Sequence, residues 1–281
     1  MKHIQNERFG EERALYALTD AVVENCRFAG EEDGESALKE SREIEVEHCE
    51  FELRYPLWHT TGAKLTDVSM SETCRAALWY ARDISILDSH LHGIKALREC
   101  EFVHIGASEI KSTEFGWFSN ELSFEDSRFE GEYFLMHARN VTLRNVYLKG
   151  KYSFQYCKNV VIYDSILDTK DAFWECENVT VYNSTVKGEY LGWYAKNLRF
   201  VNCHIVGTQP LCYCRSLVLE NCTTEDFDLA FEYSEVNADV KGALLSVKNP
   251  LSGTIVADTI GEIIFDENRK DGGNAAVKTR E

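Results

Sequence analysis

The sequence predicts an all-β fold: a single-stranded, right-handed parallel β-helix solenoid of about eleven 19-residue rungs. Three observations predict it. A 19-residue unit recurs without a gap from residues 82, 101, 120, 139, 158, 177, 196 and 215. Inside each unit, apolar and polar residues alternate. Asn or Asp recurs at fixed turn places.

The period decides the architecture before any local reading, because stacked units of this size bury a shared core. Upstream of residue 82, residues 42–60 make a further rung. Residues 61–81 make one with two extra residues, and 19–41 one with an insertion around "GEEDGES". Within a rung, the third and fifth places are apolar, as in Val141 and Leu143 or Val179 and Val181. The tenth is apolar too, as in Phe129, Leu148 and Leu167. Such period-two runs are strands. Nineteen residues hold no strand plus full helix, and nineteen is no multiple of five or six, which disfavours leucine-rich, pentapeptide and hexapeptide coils.

The turns agree. The seventh place carries Asp126, Asn145, Asp164, Asn183, Asn202 and Asn221, and the second Asn140, Asn159, Asn178 and Asn197. These residues tolerate left-handed bends. Stacked at about 4.8 Å, their side chains can also bond one another along the axis. The eighth place is small or thiol-bearing (Cys26, Cys49, Ser127, Ser165, Ser184, Cys203, Cys222), so cysteine there reads as a packing residue. The phrases "RYPLWH", "RAALWY", "KALREC", "EFGWF", "KYSFQY" and "SVKNPLSG" resemble an uncharacterised bacterial family of the pectin-lyase-like superfamily. That resemblance covers nearly the whole chain and implies the right-handed parallel β-helix, with no catalytic residue carried over.

Composition narrows the function. A net charge of −17 opposes binding to nucleic acid and to anionic membranes. No apolar run has the length of a bilayer span. The start lacks the apolar stretch of a secretory signal, and ten cysteines without one read as thiols of a cytoplasmic protein. No cofactor and no metal are expected. "CYC" at Cys212–Cys214 lacks a second ligand pair, and His90, His92 and His104 read as surface or turn residues.

The variable places lie at the end of each rung. All five tryptophans (Trp58, Trp79, Trp117, Trp174, Trp193) fall at the seventeenth place, where other rungs carry Arg98, Met136 and Gln155. The eighteenth runs His59, Tyr80, Glu99, Phe118, His137, Tyr156, Glu175, Tyr194, Tyr213. Strand alternation leaves two readings: the sixteenth place inward with the tryptophans outside, or the tryptophans inward with the His/Tyr/Glu series outside. Either way, this third side mixes aromatic faces with ionisable groups, a combination suited to sugar rings. The expected ligand is an oligosaccharide or other small molecule, with no nucleic-acid or membrane partner. Glu99, His137 and Glu175 are the candidate proton-transfer groups; Arg98, Trp117, Glu114, Gln155, Tyr156 and Trp174 are the candidate binding residues, with Arg98 facing a uronate carboxylate. The leading expectation is a lyase, hydrolase or epimerase acting on an intracellular oligosaccharide or sugar acid. The alternative is a non-catalytic sugar- or protein-binding scaffold.

Both coil ends need covering. Residues 1–18 are expected as an N-terminal cap, 19–233 as the coil, 234–266 as an irregular C-terminal cap and 267–281 as a disordered tail.

Overall fold

The alternating segments fold as strands in the computed structural model of the chain, which describes residues 1–30, 35–269 and 273–280. Every regular element among the described residues is a strand. The chain divides into two units, Met1–Thr142 and Leu143–Glu281, and each is built of parallel β-solenoid turns.

In the first unit, the strands Thr19–Glu24, Arg42–Glu47, Thr61–Thr66, Arg82–Leu87, Glu101–Gly106 and Asn120–Glu125 pair in parallel, each with the next turn. They form the first side of the coil. Short strands such as Glu50–Phe51, Ser69–Met70, His90–Leu91 and Glu109–Lys111 form the second. The third and fifth places point inward: Ile44 and Val46, Ile84 and Ile86, Val103 and Ile105 are buried. Each fully buried Leu, Ile or Phe side chain contributes about 1.5–3 kcal/mol. At the eighth place, buried serines join turn to turn. Ser89 N donates to Ser108 Oγ (3.0 Å) and Ser108 N to Ser127 Oγ (3.0 Å). Cysteine serves likewise, since Cys26 N donates to Cys49 Sγ (3.3 Å). These residues satisfy backbone groups that a tight inward turn would otherwise bury unpaired.

In the second unit, Lys158–Tyr163, Glu177–Tyr182, Lys196–Val201, Leu217–Glu225, Glu235–Lys241, Ser252–Ala257 and Ala276–Thr279 pair in the same parallel way. Side-chain amides bond from turn to turn: Asn202 to Asn183 (3.2 Å), Asn221 to Asn202 (2.6 Å) and Asn197 to Asn178 (2.9 Å). The asparagines at these bonds hold positive φ between 49° and 56°.

About 14 turns are present rather than eleven. The added turns come from segments that lack the full 19-residue pattern. Lys2–Gln5 and Arg8–Phe9 pair in register with the following turn. Beyond residue 234 the parallel turns persist at uneven lengths: Asn237 pairs with Thr254, 17 residues on, and Thr254 with Ala276, 22 residues on. Ala276–Thr279, within the expected disordered tail, is a strand paired with Thr254–Ala257. Residues 270–272 and 281 of that tail, and residues 31–34 of the "GEEDGES" insertion, lie outside the described residues.

The third side departs from strand geometry. Alternate residues there are left-handed: Tyr133, Leu135 and His137 (φ 58°, 61° and 59°) in the first unit, Asp171, Phe173 and Glu175 (54°, 63° and 52°) in the second. Each such residue costs roughly 1–2 kcal/mol, offset by hydrogen bonds to both neighbouring turns. Phe173 N donates back to Ser153 O (2.9 Å) and Glu175 N forward to Trp193 O (2.9 Å). The sixteenth place is buried throughout, as in Leu97, Leu135, Phe154, Phe173 and Leu211. Because the chain bends at the eighteenth, that place reaches the surface while the seventeenth-place tryptophans lie half-buried beside it. Neither alternating reading of this side was complete.

Candidate functional site

The seventeenth-place tryptophans lie half-buried along the coil surface. Their indole N–H groups bond carbonyls of the next turn: Trp79 to Lys95 O (2.7 Å), Trp117 to Tyr133 O (2.7 Å), Trp174 to Tyr190 O (2.6 Å) and Trp193 to Gln209 O (2.9 Å). Neighbouring indoles stack, Trp58 on Trp79 at 5.2 Å and Trp174 on Trp193 at 5.5 Å. This column is a structural ladder with its polar atoms satisfied.

Arg98 continues that ladder. Its guanidinium lies 5.2 Å from the Trp79 ring centre, 5.6 Å from Trp117 and 5.5 Å from Phe118. Its Nε reaches Glu99 Oε1 at 3.4 Å. Glu114 pairs with Lys95 (3.1 Å). His137 stacks on Phe118 at 5.0 Å, and burial, helped by Arg139, holds its imidazole below the usual range, so it is neutral near pH 7. The first unit thus gathers Arg98, Glu99, Trp117 and His137 around Phe118. An open groove of about 570 Å³ is lined there by Arg98, Glu99, Cys100, Glu101, Phe118 and Asn120. Both of its glutamates already face an arginine, since Glu101 is bonded by Arg82.

The second unit holds Gln155, Tyr156, Trp174 and Glu175. Gln155 is buried (8% exposed) and donates to Asp171 O (3.5 Å). The eighteenth-place column reads Tyr156, Glu175, Tyr194, Tyr213, one residue per turn, joined by backbone bonds from Tyr156 N to Trp174 O, Glu175 N to Trp193 O and Tyr194 N to Cys212 O. Tyr194 and Tyr213 stack at 4.8 Å and Tyr213 and Tyr233 at 5.8 Å. Burial, with Glu232 nearby, pushes the Tyr213 phenol up and keeps it a protonated donor. Where Glu175 stands, the aromatic row is interrupted. Two turns at about 4.8 Å each separate Tyr156 from Tyr194, leaving the thickness of one flat ring between them.

A groove of about 670 Å³ opens at this interruption, lined by Glu175, Tyr194, Lys196, Tyr213, Arg215, Tyr233 and Leu251. The nineteenth place turns inward, and Cys176, Ala195 and Cys214 there are buried. Arg215 anchors to Tyr233 O (3.2 Å) and Glu235 (3.5 Å). Glu177 is taken by Lys158 (2.7 Å), and among the described residues no carboxylate pairs with Lys196. Of the residues expected from the sequence, Glu175 lines this groove. Tyr194, Tyr213, Tyr233, Lys196 and Arg215 were missed. A tyrosine followed two residues later by a cation, in "YAK" and "YCR" on successive rungs, was the signal available.

These features define a parallel β-solenoid with an aromatic groove along one corner of the coil. The chain belongs to the family described as protein of unknown function (DUF3737), which matches residues 2–278. Among solved structures it is similar to PfbA, a surface adhesin of Streptococcus pneumoniae, at 8% identity and a TM-score of 0.53, over 83% of this chain and 85% of that one. It is also similar to a tailspike protein of Escherichia coli bacteriophage HK620 in complex with a hexasaccharide (8% identity, TM-score 0.46, 98% and 66% covered). A further similarity is to the A-module of the Azotobacter vinelandii mannuronan C-5 epimerase AlgE6 (9%, 0.36, 98% and 88%). At these identities the likeness is one of fold. No curated protein matches the chain.

Proposed function

We propose that the protein binds an acidic carbohydrate in the second unit's corner groove, one sugar ring entering the gap between Tyr156 and Tyr194. The observation that carries this reading is the replacement of one member of a stacked tyrosine row by Glu175, beside Lys196 and Arg215. An aromatic wall offers a sugar its apolar C–H face, and the Glu175 carboxylate accepts hydrogen bonds from its hydroxyls. Lys196 and Arg215 stand one step away, where a neighbouring sugar's carboxylate would lie.

Binding fits the groove better than turnover. Glycoside hydrolysis requires two carboxyl groups flanking one bond, and Glu175 is the one carboxylate among the described residues lining this groove. The test is Glu175→Tyr, which completes the row. Calorimetry against a panel of oligosaccharides and uronic acids should show a ligand that binds the natural protein and fails to bind Glu175→Tyr, while the variant melts no lower. Tyr194→Ala should also lose it. Retention of full affinity by both variants, or a panel without any binder, would refute the proposal.

A further inference from the structure

On the second side of the first unit, far in character from the tyrosine groove, three metal-ligating side chains meet. His90 and His92 are two residues apart, so both side chains leave the same face of their segment. Glu109 is the register partner of His90 on the next turn. Their ligand atoms all lie within 4.8 Å of one another. His92 Nε2 is already 3.1 Å from Glu109 Oε1, and the two imidazoles sit 6.1 Å apart at 79°. We propose that His90, His92 and Glu109 bind a divalent transition-metal ion, zinc being the simplest occupant.

The chemistry of the donors supports the class. Two imidazoles and one carboxylate suit zinc and its neighbours in the first transition row, whereas calcium and magnesium require oxygen ligands. Tetrahedral bonds of about 2.0–2.2 Å set neighbouring ligand atoms about 3.4 Å apart, close to the present His92–Glu109 separation of 3.1 Å, and the widest pair, within 4.8 Å, need close by no more than about 1.4 Å, a change within reach of side-chain rotation. Three protein ligands leave a fourth position for water. The backbone fixes all three residues, because His90 and Glu109 pair in register on adjacent turns and His92 N donates to Met70 O of the preceding turn (3.0 Å).

One group competes. Lys111 Nζ lies 2.9 Å from Glu109 Oε1 and must leave when a cation arrives. A second carboxylate is placed to receive it, since Glu130 is the register partner of Lys111 on the following turn. Read along the chain, His90 and His92 look like surface or turn residues, because Glu109 joins them only through the stacking of turns.

The experiment uses the whole chain, stripped with a chelator and titrated with Zn2+ by calorimetry, then with Co2+ by absorption. One equivalent should bind, and Co2+ should show ligand-field bands without thiolate charge transfer. His90→Gln, His92→Gln and Glu109→Gln should each weaken binding by at least about tenfold. His104→Gln, whose imidazole instead pairs with Glu125, should leave it unchanged. Lys111→Met should tighten binding, a gain that no folding defect produces. Melting in chelator shows that each variant is folded. Absence of binding, a thiolate band, unchanged affinity in the His90 and His92 variants, or no gain in Lys111→Met would overturn the assignment.

Discussion

Arg98 interrupts the tryptophan column in sequence but fills it in space, and replacing it measures what that filling is worth. Its guanidinium touches three aromatic rings at 5.2–5.6 Å and its side chain is 27% exposed. At about 0.5–1 kcal/mol per exposed cation–π contact, Arg98→Gln should cost about 1.5–3 kcal/mol. Arg98→Trp forfeits the same contacts but gains a stack on each side, in the geometry of Trp58 on Trp79 (5.2 Å, 5°). Two stacks at about 0.5–1.5 kcal/mol each return nearly the whole loss, so this variant should lie within about 1 kcal/mol of the natural protein. Urea melts followed by tryptophan fluorescence and by far-UV circular dichroism provide the assay, with midpoints compared if the probes disagree. A residue held only to contact a bound anion predicts the reverse: Arg98→Gln neutral, Arg98→Trp destabilised by bulk. That order would refute the ladder reading.

Gly207→Ala should melt well below the natural protein, because the added Cβ would meet Gly188 O at 1.9 Å and φ is 141°. Gly242→Ala, with φ 99° and no atom within 4 Å, should lose only the backbone strain of about 1–3 kcal/mol; equal melting points would refute the clash. His48 Nδ1 bonds Asp67 Oδ2 at 2.7 Å, and that bond raises its pKa from 6.5. The protonated form is therefore favoured by folding: the contribution is complete below pH 6.5 and is lost as pH rises through the folded value. NMR titration should show Asp67→Asn lowering the His48 midpoint, and an unchanged midpoint would contradict the pairing. Burial pushes the thiols of Cys49, Cys74, Cys100, Cys212 and Cys214 up to about 12. A disulfide reagent should leave all five untouched in native buffer and label them in denaturant; rapid native labelling of any would show that the coil opens there.

The coil was legible because its two signals are local. The period of 19 and the inward pairs such as Ile84 with Ile86 both survive any choice of register between distant parts. The ends were less so. The N-terminal turn keeps the pairing and the bend asparagine, Asn6, but lacks the full apolar pattern, and after residue 234 the parallel turns lose the repeated asparagines and vary in length. The third side was illegible for a different reason. Leu135, Phe154 and Phe173 hold positive φ near 61–63°, a conformation their side chains oppose and only bonding to the adjacent turns enforces. Alternation therefore left two readings, of which the inward sixteenth place is the part observed. Arg98 looked like a gap since residue type does not reveal where a guanidinium lies. Tyr233 sat one place out of phase, because its turn carries one residue more: Cys214 N meets Ser234 Oγ across 20 residues rather than 19. Glu175 was singled out for its charge, yet the role proposed for it rests on the tyrosines on either side of it.

The equal offset between neighbouring turns has an evolutionary corollary. From Asn159 through Asn178 to Asn197 the spacing is the same 19 residues, so length can change here in quanta without disturbing a single bond pattern. Removing residues 177–195 would join Cys176 to Lys196 and set Tyr213 above Glu175 where Tyr194 had been, leaving aromatic, acid and aromatic in the same order. Insertions and deletions of one whole unit are then nearly silent mutations for the fold, whereas loss of a single residue from inside a strand turns that strand's apolar places outward, unlike the extra residues that the loops of neighbouring turns already absorb. Expression of the 19-residue deletion beside a one-residue deletion would display that contrast directly, the first soluble and folded, the second not.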